Sequence, residues 1–130
     1  MPMKRQTTEN VVRCLNALEK KYGVKLFRKL FKSITVDNGT EFSDCKGMET
    51  SIKGDQRTKL YYCHPYCSSE RGTNERLNRE IRRKLPKGID LGKVSAKTVA
   101  NVEAWVNSYP RQIFNFATSE EIFAEKVANL

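Results

Sequence analysis

Ser33-Ile34-Thr35-Val36-Asp37-Asn38-Gly39 is the stretch that decides the fold. Ser33 through Val36 is short and β-branched and runs directly into three turn-forming residues, the pattern of a buried strand closed by a tight turn. In most sequences Asp-Asn-Gly is a turn and nothing more. In an α/β sheet, however, ligands gather at the carboxyl ends of strands, so Asp37 stands where a functional carboxylate is expected.

Upstream of this strand, Val11, Leu15, Leu18 and Tyr22 recur at helical spacing. They predict a helix that Thr7 or Thr8 caps and that Gly23 ends in a left-handed conformation. Val24, Phe27, Leu30 and Phe31 repeat the pattern over a shorter helix. Downstream, residues 43–59 are polar and poorly periodic, which reads as a long, mobile loop with one helical turn at most. Leu60 to Cys63 is a second short strand, and Pro65, Ser68, Ser69 and Gly72 mark an irregular connection.

The next helix is expected from Thr73 to Leu85, with Leu77, Ile81 and Leu85 inward and Pro86 as its stop. Glu75, Asn78, Arg79 and Arg82 fall on its other side. After a loop over 87–93, Ser95 caps a helix through Ser108 that turns Val99, Val102 and Trp105 or Val106 inward, and Pro110 ends it. Ser119 is expected to cap a last helix that packs through Ile122, Phe123 and Val127. The 130 residues show no internal repeat, low-complexity tract or boundary, and read as one domain.

Composition narrows the classes of function. With 38% apolar and 30% charged residues the chain is an ordinary globular one, and no apolar run reaches the roughly eighteen residues of a membrane span. The first ten residues lack the apolar centre of a signal peptide, so a cytoplasmic location without membrane partners is expected. Lys and Arg number 24 against 15 Asp and Glu, a net +9. Such a surplus attracts polyanions through counterion release, although it serves solubility as well. The four cysteines are irregularly spaced, as reduced thiols in a cytosolic chain would be. Only Cys63, His64 and Cys67 lie close enough to suggest a zinc site, and no matching second pair accompanies them.

Two carboxylates stand out by context. Asp37 ends a strand, and Glu75 lies in the first turn of a helix in a stretch, 71–88, that holds seven basic residues against two acidic ones. Acidic oxygens from different elements are what a site for hard divalent cations needs. A first-turn glutamate is also what the helix dipole favours, and a basic helix face is usually a solvated one.

The residues 34–42, ITVDNGTEF, resemble the second-aspartate signature of RNase H-like transposases and integrases. Residues 61–78, YYCHPYCSSERGTNERLN, are similar to the segment that carries their last glutamate. RRKLPKGIDL (82–91) and WVNSYPRQIFNFATSEEIF (105–123) resemble the insertion-sequence-thirty type of DDE transposase in particular. The order and spacing of these motifs cover nearly the whole chain.

The resemblance implies an α/β chain with an incomplete RNase H-like, integrase-core fold of a few short strands and four or five helices. It makes Asp37 and Glu75 catalytic and metal-binding, toward Mg2+ or Mn2+, with Asn38 and Gly39 as the turn that presents the aspartate. Arg71, Gly72, Thr73 and Asn74 match the loop before the glutamate helix, beside DNA. Asn78, Arg79, Arg82, Arg83 and Lys87 are assigned to DNA by position and charge. His64 is accounted for by the family's segment without zinc, as a residue of structure or of the site's rim.

The chain departs from the family where the first aspartate is concerned. That residue belongs on a strand upstream of the helix at Thr8, and no residue from Met1 to Val36 ends a plausible strand in its place. The helix-turn-helix that finds the transposon end is likewise not found. A sheet short of strands exposes edges, which predicts a homodimer or pairing with a full-length transposase. Three readings therefore stand: a catalytic-core segment of a DDE transposase, a non-catalytic DNA-binding relic or regulator, and a small zinc-binding interaction domain.

Overall fold

The structure is a computed structural model that describes residues 5–65 and 72–130. These fall into two compact units, residues 5–65 and residues 72–130. Both helices and strands are present, so the chain is α/β. Six α-helices and one two-stranded parallel sheet occur among the described residues.

The first unit opens with helix α1, Thr8–Tyr22. Thr7 is extended and its side chain accepts the Asn10 N–H, so the expected cap is in place. Gly23 has φ 79° and ψ 154°, a positive φ but not the left-handed helical stop that was expected. It ends α1 and also leads directly into α2, Val24–Leu30. Phe27 of α2 is fully buried, meets the Phe31 ring in a tilted pair at 4.8 Å, and has the Arg57 guanidinium over its own ring at 5.8 Å.

Strand β1, Ser33–Val36, pairs in parallel with β2, Lys59–Tyr62, in the register Ser33 to Lys59 and Val36 to Tyr62. The second strand thus begins and ends one residue earlier than its sequence suggests. Val36 and Leu60 meet Val11 of α1 and Met48 in the core, flanked by Val12, Leu15, Ile34, Phe42 and Cys45. Within this unit one face of the sheet, with Ile34, Val36 and Leu60, turns to the core, while Ser33, Thr35, Lys59 and Tyr61 on the other face are exposed.

Residues 43–59 hold one short helix in an otherwise irregular segment, as expected, but the segment is packed into the fold rather than solvated. Asp44 caps a short helix, α3 (Cys45–Glu49), by accepting the Gly47 N–H at 2.9 Å. The chain then turns back through a bridge between Thr50 and Gln56 and buries Ser51, Arg57 and Thr58. Glu19 of α1 receives two of these: Arg57 Nη1 lies 2.9 Å from its Oε2, and the Ser51 hydroxyl donates to its Oε1. The polar residues face one another inside the fold, which linear periodicity cannot reveal.

The second unit holds α4 (Gly72–Lys84), α5 (Ala96–Asn107) and α6 (Ser119–Ala128). Helix α5 packs on α4, with Leu77, Ile81, Val99, Val102, Trp105 and Val106 half-buried. Ser95 caps α5 as expected, accepting the Thr98 N–H. The cap of α6 is Thr118 rather than Ser119. Thr118 accepts the Glu121 N–H at 3.1 Å while the Glu121 carboxylate accepts the Thr118 N–H at 2.8 Å, so the two satisfy both ends of a capping box. Phe123 is 47% exposed instead of packed inward, whereas Ile122 and Val127 are half-buried. No helix among the described residues is long and apolar enough to cross a membrane.

Candidate functional site

Asp37 follows the last residue of β1 and is half-buried. Its Oδ1 accepts the Gly39 N–H at 3.1 Å, the short side-chain turn that Asp favours, which fixes the carboxylate at the strand end. Asn38 donates from Nδ2 to the Cys63 carbonyl at 3.0 Å. The turn after β1 is thereby tied to the residue just past β2, so the two parallel strands end together around Asp37.

Gly39 has φ −62°, a conformation open to any residue. Its smallness matters for space. A methyl group built on it would stand 2.6 Å from Glu41 Oε2 and 3.0 Å from Asp37 Oδ1. Two carboxylates therefore close on the same small volume above this glycine. Glu41 was not among the residues singled out from the sequence, although it sits inside the ITVDNGTEF motif. It belongs to the single 3-10 turn Thr40–Phe42 that follows Asp37, and that turn swings its side chain back.

Tyr62 donates its hydroxyl to the Phe42 carbonyl. Burial, helped by Cys45, Glu49 and Asp44, pushes the Tyr62 phenol above its ordinary pKa. Burial, with the charge of Glu49, likewise raises the Cys45 thiol. Both groups stay protonated at neutral pH and serve as donors or packing rather than as bases.

Glu75 lies in the second unit, in the first turn of α4, and is exposed. Gly72, Thr73 and Asn74 already belong to this helix, so the loop expected there is its first turn. The inward residues Leu77, Ile81 and Leu85 are half-buried, while Thr73, Asn74, Glu75, Asn78, Arg79 and Arg82 are all exposed, the division that their spacing predicts. Arg83 is exposed and pairs with Glu80 at 3.1 Å, and Lys87 is exposed in the loop after α4. Arg71 lies outside the described residues.

Asp37 and Glu41 of the first unit, and Glu75 of the second, each offer carboxylate oxygens, the donors that hard divalent cations take. Among the described residues, no three His, Cys, Asp or Glu side chains come together closely enough to hold a metal ion. For zinc, Cys63 is buried, His64 is exposed, and Cys67 lies outside the described residues. Cys14, Cys45 and Cys63 are unbridged.

Comparison with known proteins defines the class first. The chain is similar to transposases of bacterial insertion sequences. It is 34% identical over 104 residues to the transposase for insertion sequence element IS4351 of Bacteroides fragilis, covering 80% of this chain and 31% of that protein. It is 31% identical over 96 residues to the putative integrase ORF3 of Spiroplasma virus SpV1-R8A2 B, covering 74% of this chain and 29% of the relative. Transposase InsI for insertion sequence element IS30A of Escherichia coli K12 matches at 34% over 100 residues, 77% of this chain and 25% of the relative.

The chain belongs to the IS30 family of transposases. It spans about a third or less of the length of these relatives. No family model matches it, and no solved structure matches it at a significant level. Kinship with transposases does not favour the small zinc-domain reading.

Proposed function

We propose that this chain is the DNA-binding, glutamate-bearing part of an RNase H-like transposase catalytic core, with Asp37 and Glu75 as two of its metal-holding carboxylates. The observation that carries the reading is the face of α4. Glu75, Asn78, Arg79 and Arg82 are exposed together, while the apolar stripe of the same helix turns inward. A face with one carboxylate among guanidiniums suits a phosphodiester backbone that must lie against the arginines and pass the carboxylate. The transposase relatives make DNA the polyanion that the +9 charge is suited to meet.

In this reading Arg79 and Arg82 grip phosphates, Asn78 orients the backbone by hydrogen bonding, and Asp37 and Glu75 supply oxygen ligands. When bound, Mg2+ or Mn2+ would stabilise the attacking and leaving oxygens of a phosphodiester. The Asx turn at Asp37 and the Asn38 bond to Cys63 serve to hold one ligand in place, because catalysis loses heavily to small misplacements. Two carboxylates alone position a metal poorly, so residues 1–130 by themselves are expected to bind DNA without cleaving it. Strand cleavage then requires a third carboxylate, which a full-length transposase would supply.

A nicking assay on supercoiled DNA with Mn2+ or Mg2+ tests this. The wild type should bind and not nick. Nicking lost in both Asp37→Asn and Glu75→Gln would mean that these two carboxylates suffice, or that a homodimer completes the site. Absence of any DNA binding would remove the reading altogether.

A further inference from the structure

The second unit contains a groove of about 570 Å3, within the range of roughly 300–1,000 Å3 typical of small-molecule sites. Arg76 and Glu80 of α4, Trp105 and Tyr109 at the end of α5, and Arg111 and Phe116 of the following loop are among its walls. Nothing in the proposed backbone contacts of α4 uses these residues.

Three features of the walls restrict what fits. The first is aromatic surface held open. Tyr109 is 49% and Phe116 68% exposed. Phe116 sits at φ 67°, next to Asn115 at φ 53°. A bulky residue in the left-handed region costs about 1–2 kcal/mol, and it is held there by a tight loop. The Phe116 N–H donates to the Arg111 carbonyl at 3.0 Å, and the Arg111 N–H donates to the Ala117 carbonyl at 3.1 Å. Strain is thus spent on keeping a ring in water.

The second feature is positive charge. Arg76 and Arg111 both line the groove, and Arg111 is steadied over the Phe114 ring at 5.4 Å. Two guanidiniums exclude a cationic guest, which an aromatic cage alone would welcome. The third is an acceptor. Glu80 lines the groove with its side chain 30% exposed, while its Oε2 is held 3.1 Å from Arg83 Nη1. A carboxylate at this wall favours a guest with an N–H donor on one edge.

A planar ring that stacks, carries N–H donors on one edge and brings a phosphate with it meets all three demands. We infer that this groove takes an unstacked nucleobase of single-stranded DNA. Tyr109 and Phe116 stack on the base, Glu80 accepts from its amino edge, and Arg76 and Arg111 hold the adjoining phosphate. The inference rests on the reading of the chain as a DNA-binding protein and adds a site for single strands separate from the exposed face of α4.

The test measures binding of the full chain to short oligodeoxycytidylate, oligodeoxythymidylate and a duplex by fluorescence anisotropy. The variants are Tyr109→Ser, Phe116→Asn and Glu80→Gln. Asn suits the left-handed backbone at 116, so that variant removes the ring without unfolding the loop. Each ring loss should weaken single-strand binding by about tenfold and leave duplex binding within about twofold. Glu80→Gln should abolish a preference for cytosine, which has the amino group, over thymine.

Duplex binding that depends on Arg79 and Arg82, together with single-strand affinity unmoved by either ring variant, would overturn this inference and spare the functional reading. Loss of both kinds of binding in the wild type would overturn both. Ring variants that weaken duplex and single strand alike would also overturn it, since they would show a general contact and not a base site.

Discussion

Arg57 and Glu19 form an ion pair at 2.9 Å with both side chains removed from solvent, 0% and 1% exposed. Arg57 also donates to the Met48 carbonyl at 2.8 Å, the Gly47 carbonyl at 3.1 Å and Asn16 Oδ1 at 2.6 Å. One guanidinium therefore ties α1 to α3 and to the turn before β2. Buried charges are tolerated only when paired and hydrogen-bonded in this way, so removing one partner strands the other. Arg57→Met or Glu19→Leu alone should cost about 3–5 kcal/mol in denaturant unfolding, and the double replacement far less. Equal and additive losses would contradict the pairing.

The same pair sets a pH dependence. Burial by itself would raise the Glu19 carboxyl. The hydrogen bonds from Ser51, Arg57 and the Ile52 N–H, with the Arg57 charge, outweigh it and hold the group below the ordinary carboxylate value. A folded pKa below the unfolded one gives stability that is present above the unfolded value and lost as pH falls through the folded one. Unfolding measured at stepped pH should show stability falling below about pH 4.5, the ordinary carboxyl value, and Glu19→Gln should flatten that slope.

Asn38 positions Asp37 through its bond to the Cys63 carbonyl, and Asn38→Ala removes it. The expected stability loss is modest, about 0.5–1.5 kcal/mol. The larger effect should be on Mn2+ affinity at Asp37, read by isothermal titration against Asp37→Asn as the zero. Unchanged Mn2+ affinity in Asn38→Ala would show that the turn does not hold the ligand.

Among the described residues β1 and β2 pair only with each other, which makes self-association through a strand edge testable. Light scattering across a dilution series should give a mass above one chain at high concentration. A mass of one chain throughout would rule out strand-edge pairing.

The parts of the fold that were legible in the sequence are those governed by neighbours in the chain. Thr7 and Ser95 announce their helices because an N-cap is a contact within three residues. The strand before Asp37 and the stripe Leu77, Ile81, Leu85 follow from residue type and period. Thr118 was legible too, through Glu121 three residues on, but Ser119 offered the same hydroxyl one step later. The irregular run 43–59 and its one helical turn were legible, but its packing was not, because that comes from Glu19, 38 positions from Arg57. Among the site residues, Asp37 and Glu75 lie on the elements their motifs suggest. The crowding of Glu41 and Asp37 over Gly39 depends on the path of a single turn, and the exposed ring of Phe116 depends on a positive φ that no residue type there announces.

The most direct measurement is a salt titration of duplex DNA binding by the wild type and by Arg79→Ala/Arg82→Ala. Phosphate-driven binding weakens linearly in log–log form, with about 0.9 in slope for each phosphate neutralised. The double variant should bind more weakly, with a slope shallower by about 1.8, and should keep the wild-type fold because both side chains are exposed. An identical slope in the two proteins would contradict α4 as the surface that grips DNA.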